Sequence, residues 1–425
     1  MLNKVIHTYW TRLLATAFVF TSVALTSRFL GAEGKGLTSL IATNVLFITL
    51  LNDMVGGVSL IYLVPRHSLL SLILPAGCFS LLCSLLAAAL FHWLAIIPEE
   101  YSIHLYFLAV LQSFSNIALN VLLGKENIRW NNYLFLLKAM AHAAILALFF
   151  FVLKISDVMA YVYAMYISNI LPLLAALPLL AAYLRNEEHD GNSGTPWKEL
   201  ISFGSQSQIA NIIQMLNYRL SFYLLNALLL SEGMKAVGIF SVALALADVI
   251  WMMSKSIGTV QLTRISNMSD AAQMHDLTKK FLRFSVISSL LILLPALLLP
   301  ESLYAAVFGM EFGETKTVLL LLAAGILIFS INIILANHFA GTGRYKVNLF
   351  ASLAGLAVNA SVNLLLIPKL GLAGAAIAAS ITFAVITFYT WMQFVKETSL
   401  NWKDLMVKKE DVQSLIALFR TSNYE

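Results

Sequence analysis

Apolar runs of roughly 20 residues, the length needed to cross a bilayer, alternate with short polar breaks along this chain. They fall at about 8–30, 37–64, 69–95, 103–123, 133–153, 158–184, 202–230, 236–262, 281–300, 316–340, 346–368 and 372–395. The two most polar breaks are Arg185–Glu199 and Arg264–Lys280, and the first holds the turn-forming run Gly191-Asn192-Ser193-Gly194-Thr195-Pro196. The pattern predicts an all-α polytopic membrane protein of about twelve transmembrane helices. Six would form a lobe over 1–184, a cytoplasmic loop would span 185–201, and six more would form a second lobe over 202–396. Residues 397–425 form a polar tail in which Val412, Leu415, Ile416 and Phe419 recur at helical spacing beside Lys408 and Lys409. That spacing fits an interfacial helix on anionic lipid, or a partly ordered tail.

Composition removes the soluble alternatives. Of 425 residues, 60% are hydrophobic and 12% charged, about half the charge of a soluble domain. The net charge of +5 does not point to nucleic acid, because the basic residues lie between spans and not in one patch. With the N-terminus inside, the inner loops and tails hold 18 lysines and arginines and the outer loops 6, with Lys35 among the outer ones. Such a bias orients both termini to the cytoplasm. The first span shows no small-residue cleavage site and is read as retained. Cys78 and Cys83 share one apolar span, which fits neither a disulfide framework nor a metal site.

Charges inside the spans are the chemical signal. Between Ser205 and Lys255 two long segments meet at Ser231-Glu232-Gly233. Ser207, Asn211, Gln214, Tyr218 and Ser221 recur at steps of four, three, four and three, which is one helical face. Arg219 lies beside it, roughly 15 Å from either polar end at 1.5 Å rise per residue. Asp248 and, two turns on, Lys255 occupy the next span. An ionisable group within a span costs at least ~2.5 kcal/mol and by default faces a bundle interior or wet cavity. A water-filled, charge-bearing chamber is therefore expected here. Asp53 lies deep in the second span beside Asn52. The first outer loop (Gly34-Lys35-Gly36) and the seventh-to-eighth junction (Lys235 to Gly238) resemble one another. Aligning Gly36 with Gly238 is an offset of 202 and sets Asp53 opposite Lys255. Two six-helix halves with ligand chemistry between them is a recurrent transporter plan.

Walker-type, His-Glu-x-x-His and paired-cysteine motifs are missing, and the outer loops are too short for a catalytic lobe. An enzyme is not expected, and no cofactor beyond a possible coupling H⁺ or Na⁺. His142 and His338 read as packing residues, and Gln112, Asn116 and Asn120 as a second polar lining.

The run Asn359…Asn363-Leu364-Leu365-Leu366-Ile367-Pro368, followed by Gly371-Leu372-Ala373-Gly374-Ala375-Ala376, resembles the C-terminal signature of the Wzx-type oligosaccharide-lipid flippases. These are polysaccharide biosynthesis exporters of the multidrug/oligosaccharidyl-lipid/polysaccharide (MOP) superfamily. Ser27 to Gly36 and Val237 to Ser241 resemble the family's first outer loop and the start of its eighth helix. The resemblance implies a MATE-like fold with two lobes around a basic central cavity. It also implies a flippase that carries an undecaprenyl-pyrophosphate-linked oligosaccharide, an O-antigen, capsule or exopolysaccharide repeat unit, across the bacterial inner membrane by alternating access. Implied partners are that lipid-linked glycan, membrane lipid, and polymerases and glycosyltransferases of the same pathway.

A pyrophosphate moving through low dielectric needs cationic partners. Arg219 is then a phosphate or acidic-sugar contact, or one half of an ion pair with Asp248. Lys255 is a substrate contact or an orientation signal, and Asp248 a counter-ion or a coupling-ion ligand. Asp53 either balances Lys255 or titrates during transport. Arg12 and Lys138 greet the substrate at the cavity mouth, or mark orientation alone. The face Ser207, Asn211, Gln214 and Tyr218 bonds sugar hydroxyls or a neighbouring helix. The alternatives to a flippase are a small-molecule antiporter of the same superfamily and a membrane enzyme of glycan assembly.

Overall fold

The computed structural model describes residues 2–186 and 196–398, except for the side chains of 2–9, 206 and 207. The amphipathic tail, the Gly191–Pro196 run up to Thr195 and the side chain of Ser207 lie outside the described residues. Among those described there are thirteen α-helices and no strand: α1 Leu2–Gly56, α2 Val58–Leu63, α3 Leu69–Trp93, α4 Glu99–Gly124, α5 Ile128–Ala147, α6 Val158–Arg185, α7 Trp197–Leu228, α8 Gly233–Ile265, α9 Ala271–Leu298, α10 Glu301–Phe308, α11 Thr315–Gly341, α12 Tyr345–Leu370 and α13 Leu372–Thr398. Nine described stretches are long and apolar enough to cross a membrane. Two of them, Trp10–Leu63 and Tyr345–Thr398, run 54 residues each. At 1.5 Å per residue, 54 residues reach roughly 80 Å, more than twice the ~30 Å hydrocarbon core. Each is therefore two spans, broken at Gly31 (φ 70°) and at Gly371 (φ 57°), where only glycine takes such a backbone at no steric cost. The polar stripe on α7 keeps it below the same apolarity, although its 32 residues are long enough to span. With α7 counted, the helices correspond one for one to the twelve predicted spans.

The chain forms two compact units. Unit 1 holds residues 1–242 and 304–313, and unit 2 holds 243–303 and 314–425. Unit 1 thus includes α7, the first turns of α8 and the segment around α10. In sequence that segment reads as an outer loop, yet it caps the kink in α1. Beyond Gly31 the helix restarts and its first N–H groups lack intrahelical partners. Glu311 Oε2 accepts from the Ala32 N–H at 2.6 Å, while Arg28 Nη1 donates to the Ala306 carbonyl at 2.7 Å. The Phe308 ring meets Phe20 edge-on at 5.8 Å.

Farther along, α1 crosses the start of α8 at glycines. A Cβ on Gly36 would lie 1.8 Å from the Met234 carbonyl oxygen, and one on Gly238 would lie 1.9 Å from that of Ala32. One turn on, Ser39 Oγ donates to Ser241 Oγ at 3.0 Å. Both pairs are 202 residues apart, the offset of the internal repeat. A self-complementary contact of equivalent residues is the signature of two-fold-related segments.

In unit 2, α11 packs on α9 and α13, and α12 packs on α13. Trp251 of α8 is buried there with its Nε1–H on the Ile326 carbonyl at 2.9 Å, against Phe329 and Phe383.

Candidate functional site: a cationic cavity in unit 1

Helices α1, α4, α5 and α6 enclose a cavity of about 290 Å³ in unit 1. Its polar lining includes Lys35, Gln112, Lys138, His142, Ser168 and Asn169, with Ser22 and Thr26 from α1, and Tyr161 and Phe135 add aromatic walls. Lys35 is 7% exposed. Sequence reading placed it in an outer loop, because Gly34-Lys35-Gly36 has the composition of a turn. The helix instead resumes directly after Gly31, and Gly36 serves close packing.

Lys138 also lies deeper than its predicted position at the start of span five. α5 begins at Ile128, so Lys138 is ten residues in, roughly 15 Å along the axis. The turn before it, which holds Asn131 and Asn132, has the composition of a loop but is buried at 4% and 2% exposure. Asn131 Nδ2 donates to the Leu119 carbonyl at 3.0 Å, satisfying an amide that would otherwise oppose burial.

Two more cations act on this region. The Arg12 guanidinium lies 3.7 Å from the ring centroid of Phe135, a wall residue. Arg219 of α7 stands over Phe222 at 4.8 Å, and its charge reaches Lys35 and Tyr161. Neither Lys35 nor Lys138 forms an ion pair with a carboxylate among the described residues. Among the described residues, Asp53 is the carboxylate whose charge acts on Lys138. Asp53 is half-buried and takes a long hydrogen bond, 3.4 Å, from Asn116 Nδ2. One turn on, Asn120 Nδ2 donates to the Gly56 carbonyl at 2.9 Å, where α1 breaks before Val58. Of the predicted second lining, Gln112 therefore faces the cavity, while Asn116 and Asn120 hold the end of α1. His142 lies in the field of both lysines, its Nε2 buried without a hydrogen-bond partner among the described residues.

The remaining predicted residues are dispersed. On α7, Asn211 and Gln214 are exposed, Tyr218 is half-buried and Ser221 is buried. Asn211 Nδ2 donates to Gln208 Oε1 at 3.0 Å. In unit 2, Lys255 Nζ meets Asp248 Oδ1 at 2.8 Å, with both side chains 50% exposed. The carboxylate partner of Lys255 is thus on its own helix, two turns away.

Among the described residues, the cavity of unit 1 is lined by two lysines, Lys35 and Lys138, with no carboxylate in ion-pairing distance of either. Uncompensated charge in low dielectric is costly, and an anionic guest relieves that cost. Comparison with known proteins places the chain. Residues 139–421, two-thirds of it, match the family described as "Lipid II flippase MurJ". The chain belongs to the MurJ lipid II flippase family. A solved structure of lipid II flippase MurJ in an inward closed conformation aligns over 99% of this chain and 92% of its own, with TM-score 0.71 at 15% identity. An inward-facing multidrug resistance MATE transporter of the MOP superfamily aligns over 91% and 96%, with TM-score 0.71 at 14% identity. At such identity the likeness fixes the fold, which is that of the MOP superfamily. The capsular polysaccharide biosynthesis protein CapF of Staphylococcus aureus is 27% identical over 215 residues, 49% of this chain and 54% of the relative. The chain spans about half the length of that curated relative. Family membership and the nine apolar stretches make the chain a multi-pass membrane protein.

Proposed function

We propose that this chain is a flippase that moves a polyprenyl-pyrophosphate-linked oligosaccharide, a surface-glycan repeat unit, across the bacterial inner membrane. The observation that carries the reading is the pair of lysines, Lys35 and Lys138, lining one cavity with no carboxylate among the described residues in ion-pairing distance. The pyrophosphate supplies the missing negative charge, and Arg12 and Arg219 extend the positive field on the approach. Gln112, Ser168, Asn169 and Tyr161 offer neutral donors and acceptors to the first sugar. Exposed amides at Asn211 and Gln214 are poor neighbours for lipid, so they face water or the glycan during transport.

Asp53 balances the charge of Lys138 at longer range when no anion is bound. Arrival of the head group frees Asp53 to take up H⁺ or Na⁺, which couples translocation to an ion gradient by alternating access. The distribution of lysine and arginine orients both termini to the cytoplasm.

Export in cells tests the reading. The chain is expressed in a strain lacking its own glycan flippase, together with several glycan gene clusters, and surface polysaccharide is probed. Wild type restores a surface glycan with at least one cluster, whereas Lys138→Ala at equal membrane abundance does not. Full export by Lys138→Ala removes the cavity from the mechanism. Extrusion of toxic cations with no glycan under any cluster replaces the flippase with a drug antiporter.

A further inference from the structure

We propose that His275, His338 and Glu397 form a binding site for a divalent transition-metal cation of the zinc class at one end of unit 2. One ligating atom from each residue lies within 4.8 Å of the other two. The three sit at matching helix ends: the second turn of α9, the last turn of α11 and the last turn of α13. Two imidazoles and a carboxylate are a donor set that suits zinc, leaving a fourth position for water.

The hydrogen bonds of His338 point to a ligand. Its side chain is fully buried, and Nδ1 lies 2.9 Å from Thr278 Oγ1. The single hydroxyl proton of Thr278 is already donated to the Met274 carbonyl at 2.8 Å, and Gln261 Nε2 donates to the same oxygen at 3.0 Å. Thr278 therefore accepts from His338 Nδ1–H. That tautomer leaves Nε2 with its lone pair free, and Nε2 has no hydrogen-bond partner among the described residues. A histidine with one nitrogen held by a neighbour and the other bare, clustered with a second imidazole and a carboxylate, has the arrangement of a metal ligand.

The surroundings supply one rigid donor and two adjustable ones. The His275 and His338 rings are 5.8 Å apart, and both pack against buried Phe394, at 5.9 and 5.0 Å. Bonds of about 2.0–2.1 Å in a tetrahedron bring ligand atoms to roughly 3.4 Å of one another. His338 is fixed by Thr278, whereas His275 is half-buried and Glu397 sits at the exposed edge, so these two close the gap. Arg344 pairs with Glu397 through Oε1, which leaves Oε2 for the cation. A bound metal would tie the ends of α9 and α13 to α11.

The test uses the purified full-length chain with any affinity tag removed, stripped with a chelator and titrated with Zn²⁺ in a calorimeter. Co²⁺ absorption then reports coordination geometry. Wild type should bind one Zn²⁺ per chain and give the intense visible bands of tetrahedral Co²⁺. His275→Ala should abolish that binding while leaving the metal-free melting temperature unchanged, and Glu397→Gln serves as a second, edge-located variant. Thr278→Val carries no ligand and should weaken affinity by about 10–100-fold through loss of the His338 orientation. No Zn²⁺ on the wild type, or one equivalent retained by both His275→Ala and Glu397→Gln, overturns the site. Neither outcome depends on whether the chain transports a glycan.

Discussion

Glu311 shows how one side chain can decide a local structure. It caps the Ala32 N–H after the Gly31 kink, and Ala32 is fully buried. Glu311→Ala leaves that donor bare, which costs about 1–3 kcal/mol. Thermal unfolding in detergent should show the loss, and an unchanged midpoint would mean that the kink holds without its cap. At the same scale, Ala139→Trp fills the space lined by Lys35 and Lys138. Folded, membrane-inserted protein should then export no glycan, as judged by surface labelling at matched abundance. The individual charges inside spans were legible in sequence, because a buried ionisable group stands out against an apolar run. Their grouping was not. Arg12, Lys35, Lys138 and Arg219 lie on α1, α5 and α7, and only tertiary packing brings them to one region. Lys35 was hidden by glycine neighbours that imitate a turn, and Glu311 by a short helix whose composition is that of a loop.

At the scale of helices, the glycine crossing of α1 and α8 is the contact most sensitive to substitution. A methyl group at Gly238 would meet the Ala32 carbonyl oxygen at 1.9 Å, so Gly238→Ala must push the helices apart. Overpacking of this kind costs about 1–3 kcal/mol or more. Gly313→Ala has open space within 4 Å and should leave the melting midpoint unchanged. Equal midpoints for the two variants would show that the crossing bears no stability. Helix positions were readable because a 20-residue apolar period is enforced by the bilayer itself. Helix starts were less so: the buried Asn131 amide is satisfied by the Leu119 carbonyl, whereas sequence counts Asn131 and Asn132 as polar. The repeat offset of 202 appeared as a weak similarity of glycine-rich turns. It became structural when Gly36 met Gly238 and Ser39 met Ser241.

For the whole molecule, the MOP fold and membership of the MurJ family agree with the resemblance carried by Asn359–Gly374. That motif is packing chemistry: buried Asn359 and Asn363, then small residues where α13 begins against α12. It locates the fold and is silent about the substrate. The proposed function belongs instead to Lys35 and Lys138 of the unit 1 cavity, which no carboxylate among the described residues pairs. The most direct test reconstitutes the purified chain in liposomes with a polyprenyl-pyrophosphate oligosaccharide on one leaflet and follows its appearance on the other. Hydrogen bonds to a charged group contribute roughly 1.5–3 kcal/mol each, about ten- to a hundredfold per lysine. The double variant Lys35→Ala/Lys138→Ala should therefore lose about 100-fold or more in initial rate relative to wild type. Equal rates for the two proteins would contradict a pyrophosphate site in this cavity.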